Sequence, residues 1–271
     1  MPELPEVETT RRGIEPHIDQ EKVSAVILRR KNLRWPITPS VGDELPGEVI
    51  AGVARRGKYL LLKTGRGTLI IHLGMSGSLR IVDSRREPQK HDHVDIVFAN
   101  HKILRYTDPR RFGCVLWETG AIELHPLLAA LGPEPLSDDF SSDYLYKKSR
   151  RRSAPIKNFI MDSAIVVGVG NIYANESLYL AGINPKRSAG KISRARFEKL
   201  NTCIRQVLMQ AIEVGGTTLR DFTNSDGEPG YFAQSLHVYG QGGEPCGACL
   251  SVLKEIRQGQ RSTVYCPKCQ R

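Results

Sequence analysis

The chain has 271 residues, 40% of them hydrophobic, and 39 Lys and Arg against 29 Asp and Glu give it a formal charge of +10. That length supports two domains with cores of their own, and a hydrophobic content this high without a dominating low-complexity tract excludes a disordered chain. No run of about 18 apolar residues appears, which excludes a membrane-spanning helix, and the acidic start Met1-Pro2-Glu3-Leu4-Pro5-Glu6 lacks the apolar stretch of a secretory signal. A basic surface attracts polyanions over several kT, so nucleic acid is the leading partner. An anionic membrane is disfavoured because no strongly basic amphipathic helix is visible.

Residues 2–18 predict a helix, with Leu4, Val7, Ile14 and Ile18 on one face and Pro5 tolerable in a first turn. The period then shortens. Segments 22–30, 47–54, 59–63, 68–73, 78–82, 93–98, 102–106 and 112–117 are short, rich in Val, Ile, Leu and Tyr, and punctuated by Gly, Pro and Asn. Strands at that spacing predict a sandwich or barrel. His91-Asp92-His93 places two histidines on one side of a strand; with no third ligand nearby, a phosphate contact or a satisfied histidine is expected rather than a metal pair. Residues 131–139 read as a hinge between domains. Beyond it, helices are predicted near 141–149, 155–162, 172–182, 193–214 and 217–223, followed by a loop at 224–231 and a tail of strand, turn and cysteine from about 235. Lys147-Lys148-Ser149-Arg150-Arg151-Arg152 is a basic run ahead of the helix that carries Lys157, placed to line a nucleic-acid groove.

Of six cysteines, Cys114 and Cys203 lie in apolar and helical patterns and read as buried thiols. The other four, Cys246, Cys249, Cys266 and Cys269, have the spacing of a four-cysteine zinc ribbon. A closed thiolate tetrahedron leaves no coordination position for water, so one structural Zn2+ is expected. The segment between the knuckles carries Lys254, Arg257, Gln260 and Arg261, chemistry suited to phosphate or base edges.

Two glycine patterns fall short of nucleotide motifs. Gly52 to Lys58 fits a phosphate loop until Tyr59, where Ser or Thr is needed for magnesium, and the sequel reads as strand. Gly168-Val169-Gly170-Asn171 has Tyr173 in place of the third glycine of a dinucleotide fingerprint. It reads instead as a turn into a helix whose free N–H groups suit a phosphate. At the start, Pro2 follows Met1, and methionine removal would expose a secondary amine. An α-amino group has a pKa near 7.7–8.0 against about 10.4 for lysine, so it is the better nucleophile at neutral pH. Attack on a sugar C1′ gives an iminium ion, an electron sink for elimination. Glu3 and Glu6 follow closely, and Pro2 and Glu6 share a helix face.

Taken together, Met1 to Thr9, the Gly57-Lys58-Tyr59 turn, His72-Leu73-Gly74-Met75-Ser76-Gly77, Tyr106-Thr107-Asp108-Pro109-Arg110-Arg111-Phe112-Gly113, Gly168 to Tyr173 and the cysteine tail resemble bacterial formamidopyrimidine-DNA glycosylase, in order and over the whole length. The resemblance implies an α+β multidomain fold: an N-terminal β-sandwich with flanking helices (1–131), a helix–two-turn–helix DNA-binding domain (132–234) and a C-terminal zinc ribbon with a β-hairpin (235–271). It implies a base-excision repair enzyme that flips out and excises oxidised purines, 8-oxoguanine and formamidopyrimidines, from double-stranded DNA. It also implies cleavage of the abasic site by β,δ-elimination. Carried over by position, Pro2 is the Schiff-base nucleophile, Glu3 the acid for glycosidic cleavage and ring opening, and Glu6 a support for proton transfer. Lys58 is then a proton donor in β-elimination, and Arg261 the residue of δ-elimination and phosphate binding. His91, Arg110, Arg152, Lys157 and Asn171 match DNA-contacting positions, with Arg151 and Ser153 as alternatives to Arg152. Met75, Arg110 and Phe112 match the residues that fill the gap left by a flipped nucleotide, although core packing is the plainer reading of Met75 and Phe112 alone. Thr217, Thr218 and Tyr231, with Gly227 and Gly230, resemble a loop closing over the flipped base. A monomer in the bacterial cytosol, bound to damaged or abasic DNA and to no membrane, is expected.

Two other readings compete. A non-catalytic zinc-ribbon DNA binder would not need Pro2 with Glu3. The related endonuclease VIII, which prefers oxidised pyrimidines, is opposed by Leu4, the Val7-Glu8-Thr9 run and the set Met75, Arg110 and Phe112.

Overall fold

The computed structural model describes residues 2–216 and 236–271. The expected helix at 217–223, the loop at 224–231 and the residues Thr217, Thr218, Gly227, Gly230 and Tyr231 lie outside the described residues. The described chain divides into two compact units, residues 2–129 with 214–216, and residues 130–213 with 236–271.

The first unit opens with α1 (Leu4–Ile18). Glu3 caps it through a capping box: its carboxylate takes the Glu6 N–H while Glu6 takes the Glu3 N–H, satisfying two of the free donors at the helix start. Leu4, Val7, Ile14 and Ile18 form the buried stripe, as their spacing predicts. Eight strands follow: β1 (Val23–Leu28), β2 (Gly52–Arg56), β3 (Tyr59–Lys63), β4 (Thr68–His72), β5 (Ser78–Asp83), β6 (Asp92–Phe98), β7 (Lys102–Thr107) and β8 (Cys114–Glu118). Short α2 (Val41–Glu44) lies between β1 and β2, and α3 (Pro126–Ala129) closes the unit. The strands make two antiparallel sheets, ordered β1-β6-β7-β5 and β2-β3-β4-β8. Alternate residues of both sheets, among them Leu60, Leu62, Leu69, Ile71, Val94, Ile96, Phe98 and Leu104, meet in one core with Val7, Ile14 and Ile18 of α1. A sandwich, not a barrel, is therefore formed.

In the second unit, α4 (Ser142–Ser149), α5 (Ile156–Met161), α6 (Asn171–Ala181) and α7 (Arg194–Glu213) precede a hairpin of β9 (Lys254–Gln258) and β10 (Arg261–Tyr265). Phe197, Leu200, Cys203, Ile204, Val207, Leu208 and Ala211 give α7 a buried stripe at helical spacing. Most of α6 is buried, and the helix stops at Gly182, whose φ of 69° suits a left-handed cap. Among the described residues no helix is long and apolar enough to cross a membrane.

Candidate active site and nucleic-acid interface

The capping box puts chemistry at the start of α1. Pro2 is buried, and Glu3 and Glu6 are each 2% exposed. Glu3 N–H donates to Glu6 Oε2 at 2.8 Å, so the two carboxylates expected to serve Pro2 are held by the same bonds that begin the helix. Gly216 approaches this cluster with φ at 83°; a Cβ there would stand 3.2 Å from Glu6 Oε1.

Lys58 lies in the two-residue turn between β2 and β3, where Arg56 pairs with Tyr59 and Gly57 adopts a φ of 57°. Only a residue tolerant of positive φ closes so short a hairpin. The turn is tied to α1: Arg55 donates to Glu8 Oε2 at 3.0 Å and to the Gly57 carbonyl at 2.9 Å. Behind it, the His72 ring lies 4.8 Å from that of Tyr59, tilted by 53°, and its Nδ1 accepts the Gly74 N–H at 2.9 Å. Burial, with Lys58 and Arg34 adding positive charge, pulls the His72 pKa down to about 4, so the ring is neutral at pH 7.

Met75 and the pair Arg110 and Phe112 sit on two turns of the same unit. Phe112 is 42% exposed, an uncommon position for a large apolar ring, and the Arg110 guanidinium stands 4.9 Å over it. A cavity of about 140 Å³ behind Phe112 is lined by Arg34, Trp35, Tyr59, His72 and Cys114. Cys114 is the buried thiol expected, its pKa pushed up to about 11 by burial; Cys203 is buried as well. The alternation assumed for His91 and His93 is corrected by a bulge between Asp92 and Val94. His93 is 3% exposed with Nε2 at 2.8 Å from the Asp108 carbonyl, a satisfied core histidine, whereas His91 is half-buried just before β6.

In the second unit the basic run divides. Arg150 folds back over Tyr146 at 4.0 Å and donates to the Ile192 carbonyl at 2.9 Å, while Arg151, Arg152 and Ser153 are exposed. Asn171 is the first residue of α6, after the Gly168–Gly170 turn, as its sequence predicts. Lys157 differs from expectation. It is 1% exposed, and its Nζ donates to the Ser262 carbonyl at 2.8 Å and Thr263 Oγ1 at 2.7 Å. A charge on α5 that is desolvated this far is stabilised by the β10 oxygens it holds, so Lys157 braces the hairpin instead of facing solvent. Arg261 begins β10 on that hairpin and is exposed. The turn before it places both Gly259 and Gln260 at positive φ, and a cleft of about 210 Å³ beside it is lined by Asn158, Met161, Asp162, Gln258 and Gly259.

Cys246, Cys249, Cys266 and Cys269 bring their sulfurs within 4.8 Å of one another. A tetrahedron of Zn–S bonds of about 2.3 Å has edges of about 3.8 Å, so the donor set and spacing fit zinc. Sequence reasoning missed what seats this cluster. Glu176 of α6, 1% exposed, accepts the backbone N–H groups of His237, Val238 and Tyr239 at 2.8–2.9 Å. Asn175 takes the Val264 N–H at 2.9 Å, and Gln270 bridges Cys266 N–H to the Ile183 carbonyl. Apart from the Cys266–Gln270 bond, these contacts join residues 61 to 89 apart, too distant in sequence to leave a local signal.

Three family profiles match the chain in order: the Formamidopyrimidine-DNA glycosylase N-terminal domain over residues 1–115, the Formamidopyrimidine-DNA glycosylase H2TH domain over 131–223, and the zinc finger found in FPG and IleRS over 243–271. The formamidopyrimidine-DNA glycosylases of Stutzerimonas stutzeri and Marinobacter nauticus are 60% and 58% identical over 271 residues, all of both chains. Among solved structures, a Lactococcus lactis FPG mutant in complex with DNA containing Fapy-dG is 34% identical, with a TM-score of 0.91 over 99% of each chain. The Thermus thermophilus protein is 35% identical, with a TM-score of 0.88 over 99% of this chain and 98% of its own. The four clustered cysteines, within the zinc-finger match, are the ligands of one structural zinc. With all three profiles in order and such identity over the full length, the chain belongs to the formamidopyrimidine-DNA glycosylase family.

Proposed function

We propose that the protein is a bifunctional DNA-formamidopyrimidine glycosylase and abasic-site lyase that repairs oxidised purines in duplex DNA. Its relatives carry the glycosylase name, and solved neighbours were captured on Fapy-dG DNA and on DNA with an abasic site. The observation that carries the mechanism is Pro2 packed at the start of α1 with the capping-box carboxylates Glu3 and Glu6. Once Met1 is removed, the Pro2 nitrogen attacks C1′ of the damaged nucleotide, and the C1′–base bond breaks as a proton is delivered to the leaving side. Glu3 is the acid nearest that step, and Glu6 holds the Glu3 backbone and relays protons. The C1′–O4′ bond then opens as Glu3 protonates O4′, leaving the Pro2 nitrogen and C1′ as an iminium ion; this accepts electrons as the 2′ proton leaves and the C3′–O bond breaks, with Lys58 as the proton donor. A second elimination breaks the C5′–O bond, with Arg261 on the departing phosphate.

His91, Arg152 and the N-terminus of α6 at Asn171 are proposed phosphate contacts, supported by the +10 charge. Lys157 supports binding indirectly, through the hairpin that carries Arg261. Met75 and Phe112 refill the stack and Arg110 bonds the orphaned base, since extrusion costs a few kcal/mol of unstacking and unpairing. Functionally the chain divides into a catalytic domain (1–131), a DNA-binding domain (132–234) and a zinc finger (235–271), acting as a monomer in the bacterial cytoplasm.

Borohydride trapping on a duplex carrying 8-oxoguanine opposite cytosine tests the nucleophile. The wild type is expected to form a covalent adduct, and a variant with an uncleaved N-terminal extension, whose Pro2 nitrogen is an amide and not an amine, to lose it while still binding the duplex. An adduct of equal yield in the extended variant would falsify the terminal-amine mechanism.

A further inference from the structure

Asp108 has no solvent exposure, lies between β7 and β8, and belongs to neither the nucleophile cluster nor the zinc site. Its carboxylate joins two turns. Oδ1 accepts the Ser76 hydroxyl at 2.9 Å; Oδ2 accepts the Gly113 N–H at 2.9 Å and the Tyr106 hydroxyl at 3.2 Å. Ser76 completes the bridge by accepting the Arg110 N–H at 3.2 Å. The Asp108 carbonyl takes the Arg111 N–H at 3.3 Å and lies 2.8 Å from His93 Nε2, which holds it from the β6 side.

The backbones of the two turns are also in contact. A Cβ on Gly74, at φ 65°, would stand 2.4 Å from the Gly113 nitrogen. A Cβ on Gly113 would stand 1.8 Å from the Tyr106 hydroxyl and 2.3 Å from the His72 carbonyl. Glycine is thus required on both sides of the junction, and Met75 lies one residue from one contact and Phe112 one residue from the other. A buried carboxylate is costly unless its lone pairs are taken; here they are taken by the two segments that carry the proposed base-replacing side chains.

We propose that Asp108, acting with Ser76, is a positioning residue that locks the Met75 turn to the Arg110–Phe112 turn. The three side chains then enter the duplex as one preformed wedge rather than as two independent loops. This rests on the reading of Met75, Arg110 and Phe112 as the residues that replace a flipped nucleotide. A preformed wedge has no loop entropy to lose when the base leaves the stack, so its benefit falls on the flipping step. An abasic sugar has no base to unpair, and its capture depends less on the wedge.

The test compares single-turnover excision of 8-oxoguanine opposite cytosine with cleavage of a preformed abasic site, both at saturating enzyme. A 2-aminopurine beside the lesion reports unstacking. Ser76→Ala removes the link between the turns and leaves the Gly113 and Tyr106 bonds in place. It is expected to slow excision and the 2-aminopurine signal about fivefold to tenfold, the effect of one lost hydrogen bond. Cleavage of the abasic site should change less than about twofold on the same scale. Ser76→Thr keeps the hydroxyl and is expected to restore excision. Asp108→Asn has one acceptor oxygen where two are used and should be slower than Ser76→Ala. Met75→Ala and Phe112→Ala serve as references. If both references slow excision while Ser76→Ala and a folded Asp108→Asn match the wild type, the lock is wrong and the wedge stands. If neither reference slows excision, the wedge reading itself has failed and the lock falls with it. Equal slowing of both reactions by Ser76→Ala, with a lowered melting midpoint, would reduce Asp108 to a structural residue and overturn the proposal.

Discussion

His72 is kept neutral by its burial, by Lys58 and by Arg34, against a smaller opposing pull from Asp108. Its pKa falls from 6.5 to about 4 on folding, so below pH 6.5 the unfolded chain binds a proton that the folded chain does not. Stability therefore rises with pH through this window and is lost as pH falls from about 6.5 towards about 4, by at most about 1.4 kcal/mol per pH unit. Two other buried groups act lower. Glu8 and Asp95 are each pushed up by burial, but their arginine partners outweigh it and hold both carboxyls below the ordinary range. Their contribution is present above the unfolded carboxylate pKa and is lost only as pH falls below about 4.5. Between pH 4.5 and 6.5 the His72 effect is thus separable. Denaturant melts of His72→Asn, whose side-chain oxygen can still accept the Gly74 N–H, are expected to show a flatter stability profile across that range. A profile parallel to wild type would mean that His72 charges freely in the folded state. At this scale the sequence revealed groups whose partners are neighbours: the carboxylates beside Pro2, and the cysteines in pairs. It did not reveal Asp108, whose Ser76 partner is 32 residues away, nor the burial of Lys157, whose partners are 105 and 106 residues away.

Among elements, α6 organises the second unit. One helix presents Asn175 to β10, Glu176 to residues 237–239, and Tyr179 to the cluster, where its hydroxyl lies 3.4 Å from Cys246 Sγ and its ring stacks on His237 at 5.5 Å. Glu176→Ala would leave three N–H groups without this acceptor, the buried one of Val238 costing roughly 1–3 kcal/mol if left unmade and the part-buried ones of His237 and Tyr239 less. Part of that is recovered as water enters, so a net loss of a few kcal/mol is expected in the docking of the finger. Zinc transfer to a chromophoric chelator should then be faster than in wild type, while Glu176→Gln, with one acceptor oxygen, falls between. Unchanged transfer in Glu176→Ala would show that the carboxylate does not hold the finger. Elements with a strong period were legible in sequence: α1, α7 and most strands begin and end close to where apolar spacing puts them. The strand expected at 47–54 instead forms at 52–56, because residues 47–50 bond back to 20–23, with one bridge from Lys22 to Val49. Four-residue α2 and α3 are too short for a helical period to register.

For the whole molecule, zinc and the sandwich are separable supports. The sandwich closes its core with residues of α1 and both sheets, without the tail. The cluster of Val238, Leu253 and Val264 around Cys246 and Cys266 is small, and a core of that size cannot offset the entropy of ordering the hairpin. Metal binding must supply the difference, and structural zinc sites are worth roughly 10–16 kcal/mol in apparent terms. Removing zinc is therefore expected to melt the finger, release the bonds that Glu176, Asn175 and Lys157 make to it, and lower the melting of the second unit. The first unit should keep its own transition. Because the hairpin carries Arg261 and the finger contributes basic surface, affinity for duplex DNA and strand cleavage should fall together, although no zinc ligand takes part in the chemistry. Calorimetry of chelator-treated protein, with metal content measured on the same sample, should show one transition displaced and one unmoved, and readdition of zinc should restore binding. A zinc-free protein that keeps both transitions and still binds and cleaves DNA would show that the finger folds and functions on its protein contacts alone.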